Sequence, residues 1–264
     1  MRSIAKLMKD WQFTGPNGVT TAVELPHTWN ARDGQDGGND YWRGCCTYCT
    51  RFAAPVYDPA QQQVWLQFEG VNASAAVLLN GQQLCTHDGG YSTFRAEVTE
   101  LLQAENQLTV RVDNSVNDRV YPQKADFTFY GGIYRDVSLL VVNKNHIALG
   151  HFGDTGVKIT PTLKEGSTDI QVETLVEGSG TVTVELLDAE GRTVAKGEGE
   201  NTFLHLDAPH LWNGIKDPYL YTCVVRLLQD GKPVDEVTTK VGLRSFSVDA
   251  MWAVRPSSCS PFAP

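Results

Sequence analysis

Two acidic, glycine-flanked stretches carry the residue types best suited to binding or chemistry. One is Asp126-Phe127-Thr128-Phe129-Tyr130-Gly131-Gly132-Ile133-Tyr134-Arg135-Asp136-Val137. The other is a polar loop over residues 31–44 that contains Asp33, Asp36, Gly37, Gly38, Asn39 and Asp40. In the first, a carboxylate stands beside aromatic rings. A carboxylate accepts hydrogen bonds from vicinal hydroxyls, and ring faces pack on the CH surface of a neutral, hydroxyl-rich ligand. That pattern points to sugar. The same residues admit a plainer reading, in which Asp126 caps a turn or pairs with Arg135 and the aromatics are core. In the second stretch a calcium site is the tempting assignment. The spacing does not fit an EF-hand and no bidentate glutamate follows at the required offset, so a solvated loop fits better.

Cys45-Cys46-x-x-Cys49 is the remaining cluster with metal-ligand chemistry. It lacks a second ligand pair at a useful spacing, so no metal and no cofactor is expected, and the thiols are read as packed in and around a strand. The six cysteines are scattered over 264 residues rather than framed as a secreted disulfide scaffold. A formal charge of -9 argues against nucleic acid or an anionic membrane surface as partner, because both would repel the chain on average. The first ten residues hold no apolar run of signal-peptide type, and no stretch of roughly 18 apolar residues occurs, so a cytoplasmic location is expected.

The elements that must position these stretches read as short strands. Trp11-Gln12-Phe13 opens a strand before a Gly-Pro-Asn-Gly turn at 15–18, and another strand ends over Leu25 to Asn30. Tyr48 to Phe52, Val64 to Gly70, Gln107 to Asp113 and Ile133 to Val142 follow, with Glu97 to Leu102 as a single helical turn. Asn80-Gly81 between Val77-Leu78-Leu79 and Gln82-Gln83-Leu84 marks a type I′ hairpin. From about Asn145 a second set begins: Gly156 to Thr162, Ile170 to Val176, Thr181 to Leu187, Tyr219 to Leu228 and Val234 to Val241. About 100 residues with this many alternating strands fit an immunoglobulin-like sandwich. After Asp249 three prolines and the loss of any periodicity mark an irregular tail, read as disordered and of the kind that a shifted reading frame would produce.

Taken in order, several stretches resemble glycoside hydrolase family 2, the family of β-galactosidases and β-glucuronidases. They are Leu25-Pro26-His27-Thr28-Trp29, Phe68-Glu69-Gly70-Val71 with Asn80-Gly81, His87-Asp88-Gly89-Gly90-Tyr91, Val110-Arg111-Val112-Asp113-Asn114 and Gly132-Ile133-Tyr134-Arg135-Asp136-Val137. In the second set come Leu211-Trp212, Asp217-Pro218-Tyr219-Leu220-Tyr221 and Gly242-Leu243-Arg244-Ser245-Phe246. The resemblance implies an all-β chain: a jelly-roll, galactose-binding-like sandwich over 1–143, an immunoglobulin-like sandwich over 144–249 and an irregular tail over 250–264. A catalytic (β/α)8 barrel follows in the family, and this chain is expected to stop where it would begin.

The resemblance also assigns roles. Asp126 matches the aspartate that reaches over to the barrel's active site and helps to hold the sugar. Asp36 and Asn39 lie in the loop that borders the substrate pocket in related enzymes, although a plain polar loop explains them equally well. Retaining hydrolysis needs two carboxylates about 5 Å apart. The family draws both from the barrel, the acid/base following an asparagine, and this sequence contains no Asn-Glu dipeptide. No residue here is therefore expected to be catalytic, and the chain alone should be inactive. The expected function is the non-catalytic N-terminal part of a β-galactosidase-like enzyme, with a β-galactoside or β-glucuronide as partner in the full-length context. The alternatives are a stand-alone carbohydrate-binding protein, or a structural partner for a separate barrel. Surface that the barrel would cover leaves self-association open.

Overall fold

The computed structural model describes residues 1–31, 42–121, 128–248 and 254–256. The chain divides into two compact units, one spanning Ser3–Val142 and one taking Met1–Arg2 together with the chain from Asn143 onward. Among the described residues the only helical element is a single 3-10 turn, Thr99–Leu101. None is a helix long and apolar enough to cross a membrane.

The first unit holds strands β1 (Ser3–Lys6), β2 (Trp11–Thr14), β3 (Thr20–Val23), β4 (Cys45–Ala53), β5 (Gln62–Phe68) and β6 (Val71–Asn72). It continues with β7 (Ser74–Leu79), β8 (Gln82–Asp88), β9 (Phe94–Glu97), β10 (Glu105–Asp113), β11 (Gly132–Ile133) and β12 (Val137–Asn143). One sheet runs in the order β3-β2-β4-β10-β7-β8 and the other in the order β1-β12-β5-β9. Side chains alternate faces along each strand. Tyr48, Phe52, Val77, Leu79, Leu108, Val110 and Val112 of the first sheet meet Val64, Leu66, Phe68, Phe94, Val137, Leu139 and Val141 of the second in one core. Burial of an aliphatic side chain of this size contributes roughly 1.5–3 kcal/mol, so the interleaved faces hold the two sheets as a jelly-roll sandwich. Strand β12 is buried on both faces from Val137 to Val142, which is why it reads as an almost continuous apolar run instead of an alternating one.

Turn chemistry fixes the register. Asn80 and Gly81 take φ of 51° and 82°, the two positive angles of a type I′ turn. Pairing then runs Leu79↔Gln82 and onward to Ser74↔Asp88. The run expected as one strand from Ile133 to Val142 is instead two, β11 and β12, with Tyr134, Arg135 and Asp136 between them. The strand expected to end at Asn30 stops at Val23. Pro26 has no N–H to give, yet the chain beyond it still bonds in ladder fashion, with His27 N–H donating to Ile133 O (2.8 Å) and Trp29 N–H to Gly131 O (3.3 Å).

The second unit is a sandwich of the immunoglobulin-like kind. It comprises β13 (His146–Ile147), β14 (Val157–Lys164), β15 (Ser167–Thr174), β16 (Val176–Glu177), β17 (Thr181–Leu187), β18 (Thr193–Glu198), β19 (Asn201–Asp207), β20 (Tyr221–Gln229) and β21 (Lys232–Val241). Its sheets are β14-β15-β19 and β18-β17-β20-β21. They enclose Ile170, Val172, Leu204 and Leu206 against Val182, Val184, Leu186, Cys223, Val225 and Leu227. Strands β18 and β19 have no counterpart in the sequence reading. Within residues 250–264, read from the sequence as an irregular tail, β23 (Val254–Pro256) pairs antiparallel with β22 (Phe246–Val248). The cysteines of Cys45-Cys46-x-x-Cys49 follow the pleat: Cys46 is buried in the core, Cys45 is exposed, and Cys49 shares the outward face. Thiols on opposite faces of one strand do not converge on a common ion.

Candidate functional site

Asp126, Asp36 and Asn39 all lie outside the described residues. What the structure shows is the frame from which their two segments depart. The loop with Asp36 and Asn39 leaves from Ala31 and returns at Trp42. The stretch with Asp126 leaves from Tyr121 and returns at Thr128.

Two fully buried asparagines, Asn30 and Asn114, tie the chain at both ends of the first segment to the chain just after the second. Asn114 stands where β10 ends, and the antiparallel pairing of β10 with β4 sets Asp113 opposite Cys45. Its Oδ1 accepts from Gly44 N–H (2.8 Å), while its Nδ2 donates to Asn30 Oδ1 (3.1 Å) and to Phe129 O (2.9 Å). Asn30 Oδ1 also accepts from Gly131 N–H (2.7 Å), and Asn30 Nδ2 donates to Trp42 O (2.8 Å). The Asn30 N–H in turn bonds Thr28 Oγ1 (3.2 Å), whose own hydroxyl donates to Gly131 O (2.7 Å). Amide side chains suit this task because each offers two donors and an acceptor with two lone pairs. Residues 30, 42, 44, 114, 129 and 131, distant in sequence, thus share one buried network.

The backbone between them must be glycine. A Cβ on Gly131 would overlap the Trp29 indole. Gly132 has φ of 139°, and a Cβ there would run into the His27 carbonyl oxygen. Trp29 stacks on Phe13 (centroids 5.9 Å apart, 18° between planes) and meets Trp42 edge-on at 6.0 Å. Next to this sits a second pair, half-buried His27 Nδ1 with buried Tyr48 Oη at 2.7 Å. Burial pushes the His27 imidazole below its usual pKa and the Tyr48 hydroxyl well above its own, disfavouring the charged form of each.

Arg43 is the charged group of the cluster. Its Nε donates to Asn114 O (2.7 Å) and its guanidinium lies 4.8 Å from the centre of the Phe129 ring, a cation–π arrangement. A cleft opens beside it, lined by Asn72, Tyr91, Asn117, Tyr121 and Phe129. Asn72 closes the back by donating from Nδ2 to Tyr130 O (2.6 Å). Arg135, the alternative partner considered for Asp126, packs over the Tyr134 ring at 5.4 Å. Its Nη1 also reaches the Tyr91 and Glu69 carbonyl oxygens at 3.4 and 3.5 Å.

The described cluster offers hydrogen-bond donors, acceptors and aromatic faces, and its imidazole is engaged by Tyr48. Such a set of groups can orient a ligand or a loop. Sequence reasoning quoted Asn30 and Asn114 only as parts of motifs and did not single out Asn72 or Arg43. The available signal was an asparagine at the start of each stretch, Asn30 before residues 31–44 and Asn114 before residues 115–131.

Two family profiles match in tandem. One, described as the galactose-binding domain-like region of glycosyl hydrolase 2, covers residues 39–162, and one for glycosyl hydrolases family 2 covers residues 151–244. A β-glucuronidase of Bacteroides fragilis is 33% identical over 92% of this chain and 38% of its own length. A β-galactosidase of Bacteroides ovatus is 31% identical over 91% of this chain and 31% of its own length. The crystal structure of an FMN-binding β-glucuronidase from Facaelibacterium prausnitzii L2-6 superposes with a TM-score of 0.90 at 34% identity, covering 98% of this chain and 42% of that one. The chain therefore spans about a third to two fifths of these relatives. With both profiles in sequence order, and relatives above 30% identity along nine tenths of its residues, the chain belongs to glycosyl hydrolase family 2.

Proposed function

We propose that this chain is the non-catalytic N-terminal part of a family 2 glycoside hydrolase, serving to hold the loops that border the substrate while carboxylates outside it cleave the O-glycosyl bond. The observation that carries this reading is the Asn30–Asn114 network, which anchors both ends of the segment that holds Asp36 and Asn39 and the C-terminal end of the segment that holds Asp126. On this reading Asp126 contacts the sugar in the complete enzyme, and Asp36 and Asn39 border the pocket. The sugar is a β-glucuronide or a β-galactoside. Relatives of nearly equal identity carry the two names, 33% and 31%, so the residues of this chain do not separate them. A cytoplasmic location belongs to the same reading, and cell fractionation tests it.

Hydrolysis of chromogenic β-glucuronide and β-galactoside by the purified chain, at verified intact mass, tests the proposal. No turnover is the expected result. Turnover at the verified mass would place catalytic carboxylates within these 264 residues and overturn it.

A further inference from the structure

Three Asn-Gly dipeptides occur in the sequence, at 17–18, 80–81 and 213–214. Asparagine is chemically labile, and most so before glycine, where no Cβ shields the following backbone nitrogen from the side-chain amide. That nitrogen attacks Cγ: a C–N bond forms, Cγ–Nδ2 breaks, and the glycine amide proton departs with the side-chain NH2 as ammonia. One water then opens the cyclic imide, at Cγ to give aspartate or at the backbone carbonyl to give isoaspartate. Glycine follows all three asparagines, so the local chemistry is shared and the fold decides which of them reacts.

Two of the three are restrained. Half-buried Asn80 donates from Nδ2 to Leu101 O and to Asn106 Oδ1 (3.0 Å each), and its Oδ1 accepts from Gln107 N–H (2.9 Å). Turning its Cγ toward Gly81 breaks all three bonds. At Asn17 the nucleophile itself is engaged, because Gly18 N–H donates to Gly15 O (3.0 Å). The Asn17 side chain is also held, its Oδ1 accepting from Val19 N–H (3.1 Å). Asn213 differs on both counts. It is exposed in the loop between β19 and β20, and among the described residues neither its side chain nor Gly214 N–H makes a hydrogen bond. A Cβ on Gly214 would meet only the Trp212 ring, at 3.9 Å, so the space around the nitrogen is open.

We propose that Asn213 is a site of spontaneous deamidation in the folded chain, with water as the only co-reactant, while Asn17 and Asn80 are protected by their hydrogen bonds. The product carries a structural consequence. Asn213 and Asp217 face each other across an isolated antiparallel bridge, with Asn213 N–H donating to Asp217 O (2.7 Å) and Asp217 N–H to Asn213 O (3.3 Å). Conversion to aspartate sets a second carboxylate opposite that of Asp217, and like charges directly opposite are unfavourable. Conversion to isoaspartate lengthens the backbone inside the same bridge. Either product loosens the loop that follows Trp212, whose N–H donates to Leu243 O (3.1 Å).

The test is peptide mapping by mass spectrometry of the full chain, aged at mildly alkaline pH either folded or in concentrated urea, with isoaspartate identified by electron-transfer fragmentation. In the folded chain, aspartate and isoaspartate at 213 should accumulate at least about tenfold faster than at 17 or 80, and in urea the three rates should agree to within about threefold. In the Asn213→Asp variant the Asp217 amide should exchange its hydrogen faster than in the parent. A folded rate at 213 less than tenfold above either of the others, or a spread in urea wider than threefold, would overturn the assignment to the fold. Unchanged exchange at Asp217 in the variant would overturn the consequence for the loop.

Discussion

Asn30→Ala is the substitution that probes the site frame most sharply. The side chain is fully buried and serves three backbone or side-chain partners at once: Gly131 N–H at 2.7 Å, Trp42 O at 2.8 Å and Asn114 Nδ2 at 3.1 Å. Truncation removes the side-chain acceptor of Gly131 N–H and the side-chain donor to Trp42 O, while Asn114 Nδ2 keeps Phe129 O. A buried polar group left unpaired costs about 1–3 kcal/mol. Two such groups, with the partial loss at Asn114, give an expected destabilisation of about 3–5 kcal/mol. Since a domain has in all only about 5–15 kcal/mol, this is a large share. For a unit of this size the melting temperature should fall by roughly 6–20 °C, at 2–4 °C per kcal/mol. Calorimetry should resolve it as a shift of one transition, and hydrogen exchange should show the Gly131 amide losing protection. Gln171→Ala, which removes an exposed pair with Asn201 (3.0 Å), is the control and should stay within about 0.5 kcal/mol of the parent. A loss below about 1 kcal/mol for Asn30→Ala would mean that water replaces the amide without penalty, and the argument from a dry, fully paired network would fail.

Gly131→Ala puts a methyl group into the Trp29 ring and should cost about 1–3 kcal/mol, read by urea denaturation; a neutral result would show that the indole has room to move. In the second unit, fully buried Asp235 is bonded by Arg2 through Nε (2.7 Å) and Nη2 (2.5 Å) and by Ile147 N–H (2.8 Å). Arg2→Ala leaves that carboxylate without its cation and should cost about 3–5 kcal/mol, whereas pairing it with Asp235→Asn should recover part of the loss in a double-mutant cycle. His205 contacts Asp169 (2.6 Å) and Asp207 (3.3 Å). Its pKa is raised, first by the bond to Asp169 and then by that to Asp207. A raised folded-state pKa means that this stabilisation is complete below the ordinary histidine value and fades as pH climbs through the folded one. An NMR titration should therefore give a midpoint above 6.5, and Asp169→Asn should bring it down; an unshifted parent midpoint would contradict the geometry.

Much of the fold was legible because local chemistry and tertiary structure agree. Asn80-Gly81 announces its hairpin, and the alternation of Gln107 to Asp113 announces a half-buried strand. Strand β19 carried the same signal, with Thr202, Leu204 and Leu206 turned inward between exposed neighbours, and it was overlooked among polar residues. The break at Tyr134–Asp136 was hidden because it lies between the strand formers Ile133 and Val137. What separates β11 from β12 is their different partners, β6 for one and both β1 and β5 for the other. The site frame was the least legible part. Asn30 reaches partners 84 and 101 residues away, and no local pattern tells a clamp from a turn asparagine until the strands bring those positions together. Asp126 drew notice as a carboxylate beside aromatic rings, and Asp36 and Asn39 as parts of a polar loop, but their roles were assigned through family resemblance and rest on the proposal above.

The central claim is that this chain positions and does not cleave. The most direct measurement is the intact mass of the purified chain after prolonged incubation with 2-deoxy-2-fluoro-β-glucuronyl and 2-deoxy-2-fluoro-β-galactosyl fluorides, reagents that trap the covalent intermediate of a retaining glycosidase on its carboxylate nucleophile. The account predicts an unchanged mass with both reagents. A stoichiometric glycosyl adduct on any Asp or Glu of the chain would contradict it.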